Sequence, residues 1–150
     1  AMLQPLVRWL EDAPSHRDWL ELYAGSGNWT RALRASGARV HAVEHNAGAV
    51  VMLRRLGSGV RAVRARAESA RPREGQPVLA NPPRTGLGRP VVRLLAQARP
   101  ELMIYVSCEP STFARDAKVL CASGARLARL RFFDLYPHTP HLELMAALRW

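Results

Sequence analysis

Cysteine is almost absent from this chain, and the two present, Cys108 and Cys121, stand alone without CxxC or Cys/His ligand spacing. That argues against a zinc site and against a disulfide framework, leaving reduced thiols. Long apolar runs are missing as well. The hydrophobic segments are short and broken by arginine, so none has the length of a membrane-spanning helix, and no signal peptide is recognisable. The expectation is a cytoplasmic protein without a membrane partner. Lysine is reduced to Lys118, so the net charge of +10 is carried almost wholly by arginine. Such a charge favours a polyanionic partner, nucleic acid first, through phosphate contacts. An Ala/Arg-biased genome is the other explanation of the same composition. What is plentiful is apolar residue: 48% of 150, with 11 prolines and 10 glycines, which reads as one globular domain able to bury a core.

The chain alternates strands and helices. Residues 2–11 place apolar side chains at helical spacing and stop near Asp12-Ala13-Pro14. A strand over 19–23 runs into Ala24-Gly25-Ser26-Gly27-Asn28, followed by a helix over 29–36. Glycines at such a turn let backbone approach a ligand closely, although Thr30 stands where a dinucleotide fingerprint needs a third glycine. A second strand, 39–43, closes at Glu44, a position suited to accept hydrogen bonds from both hydroxyls of a ribose; an ordinary solvated strand end is the alternative.

A helix over 47–56 and a short strand over 60–63 follow. Residues 70–76 form a loop, and a strand over 78–80 ends in Asn81-Pro82-Pro83-Arg84-Thr85-Gly86, whose prolines stiffen the presentation of Asn81 and Arg84. Residues 90–98 are helical, 102–106 a fifth strand, 112–122 a helix. Two last strands cover 126–133 and 142–148.

The fifth strand carries the most pointed chemistry. Its apolar run stops at Ser107-Cys108, and Pro110 opens an amphipathic segment, so Cys108 falls at a strand's C-terminal end where a helix begins. Open α/β sheets place their chemistry there, and a helix N-terminus stabilises negative charge on a sulfur. Cys108 is therefore a candidate nucleophile, against the plainer possibility of a small buried residue. The loop 134–142, with two prolines and with His138 and His141, would hold Glu143 over the sheet edge. The two histidines are read as loop hydrogen-bonders rather than a metal pair, and no metal is expected.

Four of these stretches, in order, resemble the SAM-dependent RNA uracil-C5 methyltransferases, which make 5-methyluridine in tRNA and rRNA. Glu21 to Asn28 is similar to the family's cofactor loop, Asn81 to Gly86 to its Asp/Asn-Pro-Pro-Arg-x-Gly loop, Tyr105 to Cys108 to its nucleophile strand, and Phe133 to Glu143 to the loop of its catalytic glutamate. The family usually has Asn where this chain has Glu109, and more often Asp where it has Asn81.

The resemblance implies a Rossmann-like class I methyltransferase fold: a seven-stranded, mostly parallel α/β sheet with helices on both faces and an antiparallel last strand. It also implies a single catalytic domain over residues 1–150, without the family's RNA-binding and central domains. S-adenosyl-L-methionine is the implied cofactor, held by Tyr23, Gly25, Ser26, Gly27, Glu44 and Asn81. Cys108 becomes the nucleophile, Glu143 the base, and Asn81 and Arg84 substrate contacts. The implied partner is tRNA or rRNA, met with a separate RNA-binding subunit or through self-association. A SAM- or RNA-binding module with lost or partner-dependent catalysis, and a small-molecule methyltransferase, are the competing readings.

Overall fold

A computed structural model describes residues 3–11, 18–134 and 142–150. The chain forms two compact units, Ala1–Arg71 and Pro72–Trp150. All seven expected strands are present, each within a residue or two of its expected limits.

The first unit runs α1 (Leu3–Glu11), β1 (Asp18–Leu22), α2 (Asn28–Ala35), β2 (Arg39–Glu44), α3 (Ala47–Arg54) and β3 (Val60–Arg64), then a short 3₁₀ turn at Ala67–Ser69. β2 pairs in parallel with β1 on one side and with β3 on the other. From Trp19 to Leu22 every residue of β1 is buried, as a parallel strand covered on both faces requires. Asn46 starts α3 by accepting a 3.0 Å hydrogen bond from Ala49 N, which satisfies one of the helix's orphan donors. Gly27 starts α2 at φ +93°, and a Cβ there would press on the Leu53 and Leu56 side chains at 3.0 and 2.8 Å. Only glycine lets the turn sit that close to the end of α3.

The second unit contains β4 (Val78–Ala80), α4 (Arg89–Ala98), β5 (Met103–Ser107), α5 (Pro110–Ala122), β6 (Arg126–Phe133) and β7 (Glu143–Arg149). β4 and β5 are parallel, while β7 runs antiparallel to both β5 and β6. β5 is buried along its whole length. Tyr105 meets Phe113 of α5 edge to face, with ring centroids 5.1 Å apart, a favoured aromatic geometry. α5 begins at Pro110 rather than at residue 112 because Glu109 caps it, accepting from Ser111 N at 3.3 Å and from Ser111 Oγ at 2.7 Å.

β6 has its expected limits, 126–133. Seven of its eight residues are exposed, and a bulge interrupts its pairing with β7 between Leu127 and Arg129. Among the described residues, no helix is long and apolar enough to cross a membrane.

Candidate active site

In the first unit the glycine loop leaves β1 through a backbone that few residues accept. Tyr23 has φ +59° and Gly25 φ +54°; for a tyrosine this is an uncommon, strained conformation of the kind that clusters at ligand sites. A Cβ built on Gly25 would have nothing within 4 Å, so that side of the loop is open to a ligand. Glu44, 7% exposed at the end of β2, holds the loop in place. Its Oε2 accepts from Gly25 N at 2.9 Å and its Oε1 from Asn46 N at 2.7 Å. A carboxylate offers about four lone-pair sites, so acceptor capacity remains. Tyr23, Gly25, Ser26, Gly27 and Glu44 are thus brought together at the C-terminal ends of β1 and β2.

Sequence reading missed the pair beneath that loop. Glu21 is fully buried in β1; its Oε2 accepts from Thr30 Oγ1 at 2.6 Å, and its Oε1 has no partner. Burial pushes its carboxyl up to about 8, against the opposing effect of the Thr30 hydrogen bonds. The available signal was a glutamate inside an otherwise apolar strand.

In the second unit, pairing brings the expected reactive residues to one edge. The β5–β7 ladder ends at Ser107 opposite Leu144. Cys108 is the next residue after β5 and Glu143 the residue before Leu144 on β7, so the two adjoin the same terminal pair. Glu143 is itself paired with Phe133 of β6. Cys108 is half-buried, in a turn that Ser107 pins by accepting from Glu109 N at 3.0 Å. The carboxylate of Glu109 is committed to the helix cap.

Asn81 directly follows β4, whose last residue, Ala80, pairs with Tyr105. Arg84 approaches Glu143 closely enough to oppose the effect of partial burial, which raises the Glu143 carboxyl above the ordinary carboxylate range. The loop carrying Asn81 and Arg84 is tied to α5 by Asp116, buried at 2% exposure, a second feature the sequence did not announce. Its Oδ2 accepts from Tyr105 Oη at 2.9 Å and Leu87 N at 2.8 Å, while Arg115 donates to its Oδ1 and to Thr85 O. The Thr112 hydroxyl lies 3.0 Å from Arg84 O. One buried carboxyl therefore sets the Arg84 loop against the helix that starts just after Cys108. His138 and His141 lie outside the described residues.

A family model described as tRNA (Uracil-5-)-methyltransferase matches residues 71–149. The chain is 36% identical over 148 residues to a tRNA (uracil(54)-C(5))-methyltransferase of Pyrococcus abyssi, covering 95% of this chain and 36% of that protein. It is 35% identical over 156 residues to a 23S rRNA (uracil(1939)-C(5))-methyltransferase of Yersinia enterocolitica, covering 97% and 35%. The crystal structure of the Pyrococcus abyssi tRNA (uracil-54, C5)-methyltransferase in complex with S-adenosyl-L-homocysteine superposes with a TM-score of 0.83 at 31% identity, over 97% of this chain and 38% of that one. An S-adenosylmethionine-dependent methyltransferase from Mesorhizobium loti matches at TM-score 0.74 and 14% identity, covering 100% of this chain and 98% of that chain. The fold is the Rossmann-like α/β fold of class I methyltransferases. The chain spans about a third of the length of these curated relatives.

Proposed function

The chain belongs to the tRNA (uracil-5-)-methyltransferase family, and from that membership we propose that it transfers a methyl group from S-adenosyl-L-methionine to carbon 5 of a uridine in RNA. The observation that carries the reading is the β5–β7 register, with Cys108 and Glu143 adjoining one terminal pair. The other cysteine, Cys121, is exposed on α5.

The glycine loop fits the proposed methyl donor. Gly25 leaves an open approach for it, and Glu44 keeps acceptor capacity on Oε2 beyond its bond from Gly25 N, while its Oε1 accepts from Asn46 N and lies 3.1 Å from His45 Nδ1. When bound, S-adenosyl-L-methionine supplies an electrophilic methyl group on a sulfonium. The uracil ring cannot attack that methyl unaided, and Cys108 changes this. Its thiolate forms a bond to carbon 6, and the carbon 5–carbon 6 π electrons move into an enolate that makes carbon 5 nucleophilic. After methylation, carbon 5 carries a methyl and a proton. Glu143 takes that proton, the electrons restore the ring double bond, and the bond to Cys108 breaks to return the thiolate. Partial burial suits Glu143 to this, because a carboxyl raised toward neutrality is a stronger base than an exposed one.

The substrate class is tRNA or rRNA, met in the cytoplasm, with additional grip from an RNA-binding subunit or from self-association. Incubation with tritiated S-adenosyl-L-methionine and unmodified total RNA, followed by nucleoside separation, tests the reading. Label in 5-methyluridine is the expected result, and label in any other nucleoside, or in none, overturns it.

A further inference from the structure

The bulge in β6 has a consequence for the surface beside the reactive edge. Residues paired across antiparallel strands share a face. Below the bulge, Arg129 pairs with Ala147, Arg131 with Met145 and Phe133 with Glu143; beyond it, Arg126 pairs with Arg149. In β7 these partners, residues 143, 145, 147 and 149, lie on one face by the two-residue period. Were Ala128 paired in an unbroken ladder, Arg126 would fall on the opposite face from Arg129. Because the bulge takes Ala128 out of the pairing, Arg126, Arg129 and Arg131 share a single face with Arg149 of β7, while Leu127, Leu130 and Phe132 take the other.

The three arginines of β6 are exposed, Arg149 is half-buried, and the row they form ends at Phe133 and Glu143. Arg149 lies six residue steps along β7 from Glu143, a run of about 20 Å. Arg131 also lies over the Phe133 ring, 5.5 Å from its centroid. Among the described residues, acidic groups near that end include Glu143 itself, Asp134, which follows β6, and Glu109, which follows Cys108.

We propose that the exposed arginine row of β6, with half-buried Arg149 beside its far end and the buried Met145 and Ala147 of β7 next to it, is the track for the phosphate backbone of the substrate RNA, leading single-stranded RNA toward the edge that Cys108 and Glu143 flank. The inference rests on the proposed reaction for its choice of polyanion, and on charge and register for its location. A guanidinium meets phosphate in a planar, bidentate fashion, and an arginine opposite every second residue of β7 from 149 to 145 offers such contacts at regular intervals. Contacts of this kind position a nucleic acid without reading its sequence.

The test compares two triple variants that remove equal charge. One is R126Q/R129Q/R131Q; the other, R54Q/R55Q/R61Q, changes arginines that are exposed in the first unit. Fluorescence anisotropy of a labelled, unstructured uridine-containing RNA is followed from 50 to 200 mM salt. Each lost phosphate contact flattens the slope of log affinity against log salt by about 0.7 for a single strand. The β6 triple should lose about 2 from that slope, each of its single variants about 0.7, and the first-unit triple less than half as much as the β6 triple. Equal losses in both triples, or an unchanged slope in the β6 triple and its singles, overturn the proposal. So does a dimer, seen by sedimentation without RNA, that the β6 triple dissolves, since the face would then join two copies. A wild type that binds with the full slope but transfers no methyl group defeats the proposed reaction and supports the track. A wild type that methylates while its β6 triple keeps the slope defeats the track alone.

Discussion

The hydroxyl of Tyr105 donates a 2.9 Å hydrogen bond to Asp116 Oδ2, fastening the centre of β5 to the middle of α5. Both residues are buried. Tyr105→Phe keeps the ring and its contact with Phe113 but removes that donor. We expect a loss of about 1–3 kcal/mol in urea-induced unfolding, the cost of depriving a buried carboxyl of one partner. A loss within about 0.5 kcal/mol would place the tie elsewhere.

Gly25 and Gly86 both have positive φ, yet alanine should act differently at each. At Gly25 the new methyl meets open space, so folding loses only about 1–2 kcal/mol for the left-handed backbone. Binding of S-adenosyl-L-methionine should fall at least about tenfold, because the methyl occupies the side left open for a ligand. At Gly86 the methyl would lie 2.5 Å from Asp116 Oδ2 and 2.7 Å from Arg115 Nη2, so Gly86→Ala adds the disruption of the Asp116 tie, about 2 kcal/mol more. Calorimetry on both variants, for melting and for ligand binding, checks this; equal melting temperatures would contradict it.

Glu21 makes stability depend on pH. Its carboxyl is raised from 4.5 to about 8 in the folded protein, so folding favours the protonated form. Its contribution is complete below the unfolded value and is lost as pH rises from about 4.5 to about 8. Glu21→Gln keeps an oxygen for Thr30 and cannot ionise. The variant should match the wild type near pH 4 and exceed it by a few kcal/mol near pH 9. Parallel denaturation curves at the two pH values read the difference, and a gap that does not widen with pH would show that Glu21 is ionised without penalty.

Cys108 and Glu143 are proposed to act at different moments, which makes their variants distinguishable. Cys108→Ala should abolish both methylation and covalent capture of RNA bearing 5-fluorouridine, whose fluorine cannot leave as a proton does. Glu143→Gln should stall after methyl transfer and accumulate a protein–RNA adduct on ordinary uridine, visible on denaturing gels. Release of methylated RNA by Glu143→Gln at the wild-type rate would assign the proton to another group.

The strand ends were legible because their signals are local. An apolar run stopping at Ser107-Cys108 before Pro110, and Glu44 closing β2, need only neighbouring residues to be recognised. The two buried carboxyls were not legible, since their roles depend on partners distant in the chain: Thr30 for Glu21, and Leu87 with Tyr105 for Asp116. Pro110 was read as the opening of the helical segment, but the limits were set two residues late, at 112, because the cap that the Glu109 side chain provides on Ser111 N was not read. The bulge in β6 did leave a trace. With Ala128 set aside, residues 126–132 alternate Arg, Leu, Arg, Leu, Arg, Phe, and the unbroken two-residue count hides this.

β6 also bears on how copies of this chain behave in concentrated solution. Among the described strands it pairs with β7 alone, so no described strand covers its other backbone edge, which another strand could join. Like charges on Arg126, Arg129 and Arg131 keep a second β6 at a distance, and the bulge bends the edge away from the straight line that strand addition needs. The electrostatic part of that protection is screened by salt. The chain should therefore stay dispersed at low ionic strength and scatter more light as salt rises.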